Sequence, residues 1–137
     1  MAANLARGCT VSDTGTFRTT ILIESTERRG NMRSIDDALV DTGSEYTWVP
    51  ADVLTSLGIR PERTQRFIVA DGRRLERPLG IAIVHAAGAI APDFIVFAEP
   101  GDMTILGARS LEGLNVRVDS QRKQLVPAGP ILAGSTS

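Results

Sequence analysis

The tripeptide Asp-Thr-Gly occurs twice, at positions 13–15 in "TVSDTGTFR" and at 41–43 in "DALVDTGSEYTWVP". In either place the aspartate is an ordinary turn residue or a carboxylate held for acid–base work on water. Hydrolysis by carboxylates needs two that share a proton. One takes a proton from water while the other, protonated, polarises the carbonyl under attack. Such a group must be rigidly placed, with backbone N–H groups free to bond it. A buried strand running into a tight turn meets that requirement. Asp41 has this setting: Ala38-Leu39-Val40 leads into it, Gly43 turns the chain, and "YTWVP" brings apolar residues back. Asp13 follows Thr10-Val11-Ser12, and its glycine opens a strand, so it reads as a surface turn.

The elements around these positions are mostly extended. Thr16–Ser25 and "MRSIDDALVD" are rich in β-branched or alternating apolar residues and read as strands, joined by the polar turn "TERRGN". "PADVLTSLG" is the best helix candidate, with Pro50 in its first turn, Asp52 at its positive end and Gly58 as its stop. Asp71-Gly72 separates two extended arms, the strongest hairpin signal in the chain. "LGIAIVHA", a turn at Ala87-Gly88 and "FIVFAE" give two more strands. Met103–Leu106, a short helix over "ARSLEG", and strands at "LNVRVD" and "KQLVP" follow. Eight or nine short strands with frequent turn signals predict an all-β barrel or sandwich.

Composition narrows the functional classes. A chain of 137 residues fits one domain with its own core, and a net charge of −1 argues against a nucleic-acid binder. The pairs Arg28-Arg29 and Arg73-Arg74 have no interleaved aromatics and read as solvated turns. Cys9 and His85 are each the sole residue of their type. An internal disulfide is therefore excluded, and a zinc site or Ser-His-Asp mechanism finds no support. No phosphate-binding loop or dinucleotide fingerprint occurs. The start lacks the pattern of a signal peptide, and the longest apolar stretch, 81–91, is too short to span a bilayer. These features lead to the expectation of a cytoplasmic protein with no membrane partner.

The run "ALVDTGSEYTWVP" resembles the active-site loop of retropepsin-like aspartic proteases. Some 65 positions after Asp41, "MTILGARSLEGLNVRVD" resembles that family's second signature. There an apolar strand ends in glycine, opens a short helix and leads to a closing strand. Between them "FIVADGRRL" falls where the family has its flap, a glycine-tipped hairpin over the substrate. The strand at Thr16–Ser25 is similar to the family's opening strand, so the likeness covers about residues 16–126. One feature departs from viral members, which pair an Asp two residues after the motif glycine with an Arg directly after the second-signature glycine. Here those positions hold Glu45 and Ala108, with Arg109 one place later, so a Glu45–Arg109 contact is the expected substitute. The chain looks more like a cellular or bacterial cousin.

This resemblance implies a retropepsin-like acid-protease barrel, all-β with one or two short helices, acting as a homodimer. Its domain would cover 16–127, between an irregular segment (1–15) and a flexible tail (128–137). It implies a cofactor-free, metal-free endopeptidase in which Asp41 works with Asp41 of a second copy. The 28 positions between Asp13 and Asp41 are too few for the second lobe that an internal partner requires. In the family's pattern Thr42 cross-braces the two loops and Gly43 leaves room for substrate; Ser44, where many viral members carry Ala, is either a bonding partner of the carboxylate or a simple turn residue. Val69, Ala70, Asp71, Gly72 and Arg73 would form the flap, and Ile83 and Leu106, with Val69, the substrate pocket. The alternative on the same fold is a dimeric peptide-binding or assembly module with little or no turnover.

Overall fold

Alternation of side chains decides the architecture. In strand β1 (Phe17–Glu24) Ile21 and Ile23 are fully buried, and in β2 (Met32–Val40) Ile35, Ala38 and Val40 are buried, with the exposed Asp36 and Asp37 and the half-buried Leu39 between them. The computed structural model describes residues 16–134, so the irregular segment expected at 1–15, with Asp13 and Cys9, lies outside the described residues. After β2 come β3 (Thr47–Pro50), helix α1 (Ala51–Ser56), β4 (Arg63–Ile68), β5 (Arg74–Ala86) and β6 (Ala89–Ala98). The chain continues through β7 (Ile105–Leu106), helix α2 (Ala108–Leu114), β8 (Val116–Asp119) and β9 (Gln124–Pro127). The described residues are mainly strand, as the sequence leads one to expect. Neither helix is long or apolar enough to cross a membrane.

Seven strands form one sheet in the order β1-β2-β7-β3-β6-β5-β4, and a further β1–β5 pairing joins its ends into a ring. That closure removes the free edges of six strands and leaves β4 hanging from β5. One edge of β5 carries β6 along residues 79–86. The other edge carries β4 along 74–79 and then β1 along 83–85. The sequence suggests two separate strands here, whereas β5 is continuous for thirteen residues. Pro78 does not break it, because the ladder to β6 begins only at Leu79.

Inside the ring lie Ile21, Ile23, Val40, Val49, Val84, Ile95 and Leu106, with Leu54 of α1 and Leu111 and Leu114 of α2 closing its ends. Each such side chain contributes about 1.5–3 kcal/mol relative to exposure. Two hairpins show different turn chemistry. Ala87-Gly88 is a two-residue turn with both φ positive, at 52° and 78°, which suits the twist of β5 and β6. The Asp71-Gly72 hairpin instead has a three-residue loop, closed by Val69 N–H to Arg73 O at 3.0 Å, with only Gly72 at positive φ. Strands β8 and β9 form a separate two-stranded sheet. Residues 128–134 after it carry no helix or strand, and Asn115 anchors them through Ala128 N–H and Gly129 O.

Candidate active site

Strand β7 lies between β2 and β3, parallel to the first and antiparallel to the second. The connection from β2 to β3, residues 41–46, must therefore arch over the end of β7. Asp41 sits at the base of that arch. Its backbone N–H donates to Leu106 O (3.1 Å), and its carbonyl accepts the N–H of Ser44 (3.1 Å). Its carboxylate accepts the N–H of Gly43 at Oδ1 (2.9 Å). A β-carbon on Gly43 would come within 3.2 Å of that same oxygen. The strand-to-turn delivery read from the sequence is present, and Asp41 stays partly exposed.

The neighbours of Asp41 divide by role. Thr42 is exposed and makes no side-chain hydrogen bond among the described residues. The Ser44 hydroxyl donates to Tyr46 O (3.0 Å), so within one chain it supports the arch and does not bond the carboxylate. The second-signature segment stitches the arch from below: Ala108 N–H donates to Ser44 O (2.7 Å) and Arg109 N–H to Glu45 O (3.0 Å). Gly107 permits this approach, since a β-carbon there would lie 2.3 Å from Tyr46 O. The Glu45–Arg109 contact expected from the sequence is present at 3.8 Å, with the Arg109 guanidinium over the Tyr46 ring.

A second component is the β4–β5 hairpin. Its tip is stiffened by Asp71, whose carboxylate accepts the Arg73 N–H (3.0 Å) and pairs with the Arg73 guanidinium (2.8 Å). These contacts, the backbone N–H first, lower the Asp71 pKa. The hairpin overhangs a cavity of about 570 Å³ lined on its side by Val69, Ala70, Asp71, Arg73 and Leu75. The opposite wall is Trp48, Gly101, Asp102, Met103 and Ile105. Asp71 and Arg73 neutralise each other, and Asp102 is held bidentately by Arg77 (2.8 and 3.1 Å), which leaves apolar surface as the main character of the walls. Phe67 ties the hairpin to β3, with its ring 4.9 Å from Trp48 and 5.8 Å from Tyr46.

Val69, Ala70, Asp71 and Arg73 thus line the cavity, with Gly72 at the hairpin tip. Leu106 and Ile83, expected as pocket walls, do not line the cavity: Leu106 lies in the core at 0% exposure, and Ile83, at 7%, is buried on the opposite face of β5 from Ala82 and Val84. Strand parity is the reason: with Leu106 turned inward, Ile105 takes the cleft. Trp48, Leu75, Met103 and Ile105 are walls that sequence reasoning did not name. Trp48 alternates with the buried Thr47 and Val49, and that alternation was the available signal. In comparison with known proteins, the chain matches no protein-family model and no curated protein sequence.

Proposed function

We propose that this chain is one half of a homodimeric, retropepsin-like aspartic endopeptidase. The observation that carries the reading is the Asp41 arch: a partly exposed carboxylate at the end of a buried strand, bonded by Gly43 N–H and underpinned by residues 106–109. One carboxylate cannot act as base and acid at once. The symmetric solution is a second copy whose Asp41 meets the first across a two-fold axis, where a residue meets its own equivalent. Thr42, exposed and without a side-chain hydrogen bond among the described residues, is suited to grip the opposite arch. The β8–β9 ribbon also favours dimerisation: its outer edges pair with no other strand among the described residues, and free edges invite pairing with a second chain.

In the dimer the two carboxylates share one proton. The ionised one removes a proton from water, which attacks the peptide carbonyl, while the protonated one donates to the carbonyl oxygen. Collapse of the tetrahedral species returns the proton to the leaving amine. The β4–β5 hairpin excludes water and pairs with the extended substrate, and the cleft beneath it receives an apolar side chain.

The test is cleavage of an unbiased peptide library across pH by wild type and Asp41→Asn. Cleavage by wild type alone supports the reading. Peptide binding without cleavage by either protein identifies a binding module on the same fold instead.

A further inference from the structure

Asp93 is a carboxylate in an otherwise apolar strand, "APDFIVF", with its side chain 8% exposed. Burial of such a group is costly unless its oxygens are bonded. Its Oδ2 accepts the hydroxyl of Ser110 (3.0 Å), and its Oδ1 accepts the N–H of Phe94 (2.8 Å) with Arg109 Nε 3.6 Å away. The Ser110 hydroxyl, 1% exposed, is 2.6 Å from that of Thr47, which is fully buried. The Thr47 oxygen in turn accepts the N–H of Gly107 (3.0 Å).

A hydroxyl has one proton to give, and this fixes the direction of every bond. Ser110 donates to Asp93, so its oxygen takes the Thr47 proton, and the Thr47 oxygen is left to accept from Gly107. The Gly107 N–H and the Leu106 C=O belong to one peptide group, and that carbonyl accepts the Asp41 N–H at 3.1 Å. A single polarised chain thus runs from the Asp41 backbone through the Leu106–Gly107 peptide, Thr47 and Ser110 to Asp93. Bonds aligned in this way strengthen one another in a buried site.

We infer that Asp93 is a positioning residue, which sets the placement of Asp41 through Ser110, Thr47 and the Leu106–Gly107 peptide. This rests on the protease reading for its catalytic consequence, though the chain of bonds does not. Arg109 adds a lateral restraint, lying between Asp93 and Glu45 at 3.6 and 3.8 Å and so linking β6 to the rim of the arch.

The test compares wild type with Asp93→Asn, Asp93→Ala, Thr47→Val and Thr47→Ser, with activity normalised to folded dimer. A displaced carboxylate costs turnover more than affinity. Asp93→Ala and Thr47→Val should lower kcat about 10- to 100-fold with KM changed less than about two-fold. Asp93→Asn, which keeps an acceptor for Ser110, should lose less, and Thr47→Ser, which keeps the hydroxyl, should restore turnover. Amide exchange supplies a readout free of activity: Asp41 and Gly107 N–H should exchange about 10-fold faster in Asp93→Ala while Ile21 and Ile23 keep their protection. Normal kcat with normal exchange, a loss confined to KM, or a uniform rise in exchange would each overturn the inference. An inactive wild type whose arch still loosens selectively in Asp93→Ala would sink the protease reading and leave the positioning role standing.

Discussion

The Glu24 carboxylate lies 2.7 Å from His85 Nε2, joining β1 to β5 at the seam where the ring closes. The same buried carboxylate accepts the Gly30 N–H (2.6 Å) and pairs with Arg29 (3.1 Å). The Gly30 N–H, then His85 and Arg29, lower its pKa from 4.5 to about 2. Because the folded state binds this proton less readily than the unfolded chain, Glu24 stabilises the fold above pH 4.5. That contribution is lost as pH falls from 4.5 towards 2. Urea midpoints of wild type should drop across this window, and Glu24→Gln should start lower and drop less. Parallel curves for the two proteins would contradict the assignment.

Gly72→Val tests the hairpin tip. Gly72 has φ +87° with open space around its α-carbon, so the substitution brings strain without a clash. The expected strain is about 1–2 kcal/mol, local to the tip. Peptide turnover should fall at least several-fold while the melting temperature moves by only a few degrees. A shift in melting temperature with kcat/KM intact would make the hairpin a purely structural element.

Gly107→Ala should be far more damaging. Its β-carbon would sit 2.3 Å from Tyr46 O and 2.9 Å from Ser44 O, both backbone atoms of the arch. Overpacking against backbone costs about 1–3 kcal/mol or more, and here it displaces the support of Asp41. The expected outcome is a folded or marginally folded protein with no cleavage, measured by calorimetry and peptide assay.

Subunit mixing tests the shared site. Excess Asp41→Asn chains should poison wild-type chains under conditions of exchange, since a mixed dimer holds one carboxylate and one amide and cannot share a proton. Dilution through the dissociation range should lower specific activity. Asp13→Asn should leave cleavage near wild type. A monomer that cleaves at a concentration-independent rate would remove the dimeric mechanism.

Most strands were legible because alternation over six or more residues records which face is buried. The delivery of Asp41 was legible for the same reason, since Ala38 and Val40 face the core at the end of β2. Strand β7 has two residues, too few for alternation to tell Leu106 from Ile105 as the cleft wall. The ring closure and the Glu24–His85 contact join residues 61 apart. The Asp93 chain brings positions 47 and 93 to positions 107 and 110, and these meet only once β3, β6 and α2 have packed. Local sequence carries no record of such meetings.

Strand β5 behaves mechanically as a cantilever. From Leu79 to Ala86 it is clamped by β6, and near its far end by β1, while Arg74–Pro78 projects with β4 as its only ladder partner. Five projecting residues make an arm of about 17 Å, so a tilt of about 5° at the root carries the tip about 1.5 Å. Cleft opening is then resisted by the Phe67 contact with Trp48 and by bending stiffness at the root. Arg77, tied to Asp102 by two hydrogen bonds, acts there as the strut. Loosening that strut would change the amplitude of the tip without altering any residue at the tip itself.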